Sequence, residues 1–465
     1  MDKQVIDKLM KITGHKHLTT EEEELICYSY DATGQEFLPE AVVFPGTVEE
    51  ISEIMKLATA DGFSVVPRGA GSGFVGGALP VQGGLVMSLK RLNKILEIDR
   101  ENMTALVEPG VVTGHLQKEV EALDLFYPPD PSSLKFCTLG GNVAMGSGGP
   151  RAVKYGVTRD YVMGLEVVLP TGEIIAAGTK AAKGVVGYDL TRLMVGSEGT
   201  LGIVTKILLK LIPKPKGKVT LLAEFPGALE AGRAVSAIMA SGVIPSVLEF
   251  IDNSTLKCVR GDLNDPPSGE VKAILLIEAD GSGTVIAEDS LVIEGLCKEQ
   301  GAVRIKKSSE KKESEQLWAT RRAISPSLYK LATKKINEDI AVPRNKVPEL
   351  IERLEKIAHK HNVVMANFGH AGDGNIHVNI MINKGNREEE KRGEEAVKEV
   401  FKTALQLNGT ISGEHGVGIS KQPYIAMELS QREIALMEGI KKVFDPSNIL
   451  NPGKIFPAKG FKNDE

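Results

Sequence analysis

At 465 residues the chain has room for two or three domains, and 42% hydrophobic with 25% charged residues is ordinary globular composition, excluding a disordered chain or a membrane bundle. The net charge of −5 carries no basic cluster, so nothing marks a nucleic-acid surface, and no stretch approaches the ~18 apolar residues of a membrane-crossing helix. Cys27, Cys137, Cys258 and Cys297 form no Cys-x-x-Cys pair, so no zinc-thiolate or iron–sulfur centre assembles locally and a one-electron relay would lie on another chain.

The N-terminus, Met1-Asp-Lys-Gln-Val-Ile-Asp-Lys-Leu-Met, mixes charge with helical apolar spacing and lacks a signal peptide's apolar core, so a cytoplasmic protein is expected. From 41 to about 211, short β-rich runs alternate with glycine clusters, as one α+β unit. Within it, Val48, Ile51, Ile54, Met55 and Ala58 predict a helix over 47–60, with Thr47 as cap and Glu50 completing a capping box.

The proline-interrupted stretch Pro213-Lys-Pro-Lys-Gly reads as an inter-domain connection. The expected division is 1–215 as the first domain, 216–415 as a second, and 416–465 as a helical segment returning to the first. The second domain reads strand 219–225, helix 228–241, strands 247–251 and 271–278, helix 285–298 and strand 303–305, a βαββαβ, ferredoxin-like order. A partial second copy runs from Ile336 through a helix at 347–361 to strands at 363–370 and 376–382. The charge runs at 21–24, 306–315 and 386–402 read as solvated helix faces, and a helix over 431–443 closes the chain.

Pro67-Arg68-Gly69-Ala70-Gly71-Ser72-Gly73 follows a strand, and its glycines let several backbone N–H groups converge as in a pyrophosphate site. Gly71-x-Gly73-x-x-Gly76 also matches the Rossmann fingerprint, with Glu97 near the place of a ribose-binding acid. That match is a decoy, because Pro80, Gly83 and Gly84 break the helix the fingerprint requires.

Phe368-Gly-His370-Ala-Gly-Asp-Gly-Asn-Ile-His377-Val-Asn379 reads as a β-hairpin that brings two histidines across from one another, with His377 and Asn379 on one face. Ser412-Gly-Glu414-His415-Gly416 is a source for a third ligand. Two imidazoles and a carboxylate leave an open position, the ligand set of a catalytic metal.

Further backbone-rich loops follow the first: Tyr127-Pro-Pro129-Asp130-Pro-Ser132, Thr138-Leu-Gly-Gly141-Asn142, Gly146-Ser-Gly148-Gly-Pro, Tyr155-Gly and Gly196-Ser-Glu198-Gly-Thr-Leu-Gly202-Ile203. In this order they resemble the FAD-binding domain of the vanillyl-alcohol oxidase type. The full chain resembles the family of glycolate oxidase flavoprotein subunits and D-lactate dehydrogenases. The resemblance implies a two-part FAD-binding domain, a ferredoxin-like α+β cap domain for substrate and a C-terminal helical segment. It implies that residues 67–73, Pro129, Asp130, Ser132, Thr138, Gly141, Asn142, Gly146, Gly148, Tyr155, Glu198, Gly202, Ile203 and Asn451 hold FAD. With no histidine or cysteine in the glycine loop, the FAD is expected to be non-covalent.

By the same resemblance His370, His377 and Glu414 bind a divalent metal (zinc first, manganese or iron next), His415 is the base, and Arg321 binds the substrate carboxylate, beside Ser325 and Asn379. A guanidinium suits that task because it offers a bidentate fork. The implied reaction is oxidation of a small D-2-hydroxy acid, D-lactate or glycolate, to the 2-oxo acid. Hydride passes to flavin N5 and electrons go on to an electron-transferring flavoprotein or an iron–sulfur subunit; peripheral membrane association would come through that partner.

A homo-oligomer is compatible with the sequence. Relatives that oxidise D-2-hydroxyglutarate carry a lysine near Asn337, close to Lys334 and Lys335, which ranks a dicarboxylate second. His15, His17, His359 and His361 fall in polar helical stretches and His115 near a loop, and none of the five is assigned chemistry. Three competitors are a zinc hydrolase, which leaves the glycine loops unexplained, a flavoprotein without net redox like the ether-lipid synthases, and a scaffold that keeps FAD structurally.

Overall fold

The expected cap at Thr47 forms: its side chain accepts from the Glu50 N–H at 3.2 Å and starts the helix Val48–Asp61. The Glu50 carboxylate reaches back to Gly46 N–H at 2.6 Å rather than to Thr47. A computed structural model describes residues 1–262 and 266–457 and divides the chain into two units. The first comprises Met1–Gly148, Val157–Lys214 and the segment from Glu414 onward; the second comprises Gly149–Gly156 and Pro215–Gly413.

In the first unit Ala41–Val43, Leu85–Ser88 and Val65–Arg68 pair in parallel, with Leu18–Thr19 antiparallel at the edge. The capped helix buries Ile51, Ile54, Met55 and Ala58 with Val65, Leu85 and Met87 of these strands, and burial of each larger side chain contributes about 1.5–3 kcal/mol. A second, antiparallel sheet runs Ile95–Asp99, Thr104–Val107, Ile203–Lys210, Val162–Val168 and Ile174–Gly178. These two sheets are the two parts of the FAD-binding fold. The C-terminal segment joins the first sheet, since Val65 N–H donates to Ile449 and Asn451 N–H donates to Val65, each at 2.8 Å.

The second unit is built on a seven-stranded sheet in the order Arg304–Ser308, Gly217–Phe225, Ala273–Gly281, Val247–Ile251, Val364–His370, Asn375–Ile382, Lys334–Ala341. Its first four strands, numbered along the chain, lie in the order four, one, three, two, the ferredoxin-like arrangement. The partial copy adds the other three through antiparallel pairing of Val247–Ile251 with Val364–His370. A helix at Asn253–Val259 lies outside the predicted elements; Asp252 caps it by accepting from Thr255 N–H at 2.8 Å.

The charge run at 306–315 is not one helix face, because Lys306 and Lys307 belong to the edge strand and the helix Lys311–Ser327 begins later. The tail helix is Gln431–Phe444, capped by Ser430 and Glu433.

Candidate active site

In the first unit no helix opens at the glycine loop; residues 69–84 run as turns, so the Rossmann match is a decoy in three dimensions too. A Cβ on Gly69 would collide with Thr138 Oγ1, and Gly71 has φ +67°, a conformation few other residues adopt. The loop from Pro67 to Gly73 lines a cleft shared with Ser132, Thr138, Gly141, Asn142, Glu198, Gly202 and Ile203, and with Glu414 and His415. Thr138 caps the helix Leu139–Met145 by accepting from Gly141 N–H, and Asn142 donates to Thr113 Oγ1 at 2.7 Å. Walls of glycine, backbone and small side chains suit a long, flat cofactor with a pyrophosphate.

Arg68 lines this cleft but has internal partners: its guanidinium donates to Tyr30 O at 2.8 Å, and the side chain is only 5% exposed. Burial pulls its pKa down against the neighbouring Asp31 charge, so Arg68 braces the loop from within the protein. Of the other first-unit residues expected at the cofactor, Pro129, Asp130, Gly146, Gly148 and Asn451 are not among those that line the cleft. Tyr155 lies in the second unit and donates to Asp280 at 2.8 Å. Asn451 donates to Gly77 O and Glu198 O, while Pro129 O accepts from Gln117. Gly146 ends a helix at φ +67°, and a Cβ on Gly148 would stand 2.6 Å from Glu414 Oε2.

Glu198 holds the loop that carries His415. Its carboxylate accepts from Val417 N–H at 2.7 Å and Gly418 N–H at 2.8 Å. Burial raises its pKa, opposed by those two N–H groups and by Lys454 and Lys421. Phe74, absent from the residues expected at the site, packs on His415 with ring centroids 5.0 Å apart; its place directly after Gly73 was the available signal.

In the second unit the hairpin Val364–His370/Asn375–Ile382 pairs Phe368 with His377 and His370 with Asn375. The two histidines are therefore diagonal neighbours on one face rather than directly opposed, with ring centroids 5.1 Å apart and one nitrogen of each within 4.8 Å. His370 Nδ1 meets the Glu249 carboxylate, and Arg321 Nε donates to the other oxygen of Glu249 at 2.5 Å. Glu249 is wholly buried, and although burial raises its pKa, His370 and Arg321 outweigh that and bring it below the usual carboxylate range. Glu249 is a residue that sequence reasoning missed; an acid inside the apolar run Val247-Leu-Glu249-Phe-Ile was its signal.

The guanidinium of Arg321 lies over the Phe368 ring, 4.6 Å from its centroid. The Asn379 amide is committed to the sheet, donating to Ala366 O at 3.0 Å and accepting from Asn337 at 2.9 Å, and it is fully buried. Ser325 is exposed and accepts from Lys335 at 3.3 Å. Asp339, fully buried, stands opposite His377 across the strand pair, and its carbonyl accepts from Gly413 N–H at 3.0 Å. Glu414 is the next residue along the chain. Two neighbouring imidazoles, one of them bonded to a buried acid, are a donor set that fits a zinc, manganese or iron ion.

A family description for the C-terminal domain of FAD linked oxidases matches residues 214–455, and one for an FAD binding domain matches 39–178. The chain is 46% identical to the glycolate oxidase subunit GlcD of Bacillus subtilis, covering 98% of this chain and 97% of that protein. It is 38% identical to a D-lactate dehydrogenase of Anaerostipes hadrus over 90% of this chain and 89% of that one. The solved structure of p-cresol methylhydroxylase with substrate bound is similar in fold, with a TM-score of 0.80 at 20% identity, covering 99% of this chain and 97% of that one.

Proposed function

The chain belongs to the FAD-linked oxidases, and from that premise we propose that it oxidises a small D-2-hydroxy acid, D-lactate or glycolate, to the 2-oxo acid. It is an FAD-dependent oxidoreductase; the substrate, the metal and the residue roles are our reading. The observation that carries it is the pairing of His370 and Arg321 on one buried carboxylate, which joins a metal-type ligand to a carboxylate-type receptor.

When bound, the flavin supplies a two-electron acceptor and a divalent metal a Lewis acid that makes the substrate hydroxyl more acidic. His370, His377 and Glu414 would hold the metal. Arg321 binds the substrate carboxylate through its terminal nitrogens, which also fixes the orientation of C2. His415 takes the proton from the C2 hydroxyl. The glycine loop and Thr138 hold the flavin without a covalent bond.

A partner receives the electrons, an electron-transferring flavoprotein or an iron–sulfur subunit, because the four cysteines of this chain are single free thiols. Among the described residues no helix is long and apolar enough to cross a membrane.

A second reading is a D-2-hydroxyglutarate-type substrate. Asn337 supplies no charge for a distal carboxylate, but Lys335 reaches Ser325, one helical turn from Arg321, and burial lowers its pKa. Anaerobic titration of the yellow protein with D-lactate, L-lactate, glycolate and D-2-hydroxyglutarate decides between them. Bleaching by D-lactate or glycolate is expected. Bleaching by the dicarboxylate alone selects the second reading, and no bleaching by any acid overturns both. Metal-stripped protein, or His377→Ala, should lose turnover while keeping FAD; full activity without metal removes the metal from the reading.

A further inference from the structure

An ionised carboxylate in a sheet interior costs several kcal/mol unless its charge is matched and its oxygens are bonded. Glu249 meets both conditions, and each of its partners has a role in the reading above. It sits in the Val247–Ile251 strand between Leu248 and Phe250, all three buried. The register sets it directly opposite His370. One oxygen takes His370 Nδ1 and the other takes Arg321 Nε.

We propose that Glu249 is a positioning residue that sets the metal ligand His370 and the carboxylate-binding Arg321 in one fixed relation, so that metal affinity and substrate affinity share a single carboxylate. This rests on the proposed hydroxy acid reading. Chemically, the bond to Nδ1 fixes the imidazole tautomer and assigns Nε2 as the ligand atom. The bond to Arg321 Nε leaves the two terminal nitrogens as a parallel fork for a substrate carboxylate. Phe368 completes the frame, because its ring lies under the Arg321 guanidinium and beside His377, with centroids 5.6 Å apart.

Glu249→Gln keeps the shape but loses the charge, and an amide can accept from only one of the two donors. In flavin-loaded protein it should weaken Mn²⁺ binding, read by equilibrium dialysis, by about 10-fold or more. It should also raise the KM for the hydroxy acid and the dissociation constant of oxalate, read from the flavin spectrum, by about 10-fold, with a smaller change in kcat. Glu249→Asp retains the charge but is one methylene too short to hold both partners, so it should lose one affinity more than the other. It also serves as the variant to use where the glutamine form does not fold.

A role confined to stability would lower the melting temperature and leave Mn²⁺ and oxalate binding at wild-type values in the folded fraction, and that result overturns the proposal. If no 2-hydroxy acid reduces the wild-type flavin, the functional reading fails by itself. The dialysis still reports whether Glu249 orients His370.

Discussion

Phe74 and His415 stack with ring centroids 5.0 Å apart and 32° between their planes. Phe74 follows the last glycine of the loop that lines the cleft, so the turn proposed to hold the flavin also supports the proposed base. His415→Gln should slow flavin reduction by about 10²-fold or more while FAD content stays at the wild-type level. Rapid-mixing absorbance at the flavin band measures it, and an unchanged reduction rate removes His415 as the base.

Gly69 leaves no room for a methyl group beside Thr138 Oγ1, the cap of the helix Leu139–Met145. Gly69→Ala should displace that cap at a cost of about 1 kcal/mol and weaken FAD by roughly 10-fold. The ratio of flavin to protein absorbance after dialysis gives the answer. Gly73→Ala, whose methyl would meet nothing within 4 Å, is the comparison variant.

Trp318 is the chain's single tryptophan, and its indole donates to Glu278 Oε1 at 2.7 Å, beside Lys218 at 2.7 Å and Thr220 at 2.8 Å. Glu278→Ala removes one buried acceptor from three donors and should destabilise the second unit by about 2–3 kcal/mol. Urea unfolding followed by tryptophan emission reports this unit, and an unchanged midpoint would show that the cluster contributes nothing.

Cys27 is exposed, whereas Cys137, Cys258 and Cys297 are buried. Burial pushes the Cys297 thiol up to about 12, so its thiolate is scarce at neutral pH. One thiol should react rapidly with a disulfide reagent in the native protein and four in denaturant. Cys27→Ser should abolish the fast phase; persistence of that phase would place reactivity elsewhere.

Much of the architecture was readable because the signals are local. Thr47 and Glu50 announce a helix start, Gly369 to Asn375 a reversal, and the spacing of strands and helices after Pro215 a ferredoxin-like order, each through propensities a few residues wide. Placement of polar side chains was less readable. Arg68 turns toward Tyr30 and the Asn379 amide closes on Ala366 and Asn337, choices made by neighbours remote in sequence.

What the sequence by itself determined is the inventory: a glycine-rich loop, two histidines on a hairpin, and a Glu414-His415 pair between glycines. What only the tertiary structure decided is which buried acid serves which of these groups. Glu249 and His370 lie 121 residues apart and meet because two halves of one sheet join edge to edge. Strand pairing at that range depends on the packing of both halves, and no window of sequence contains it.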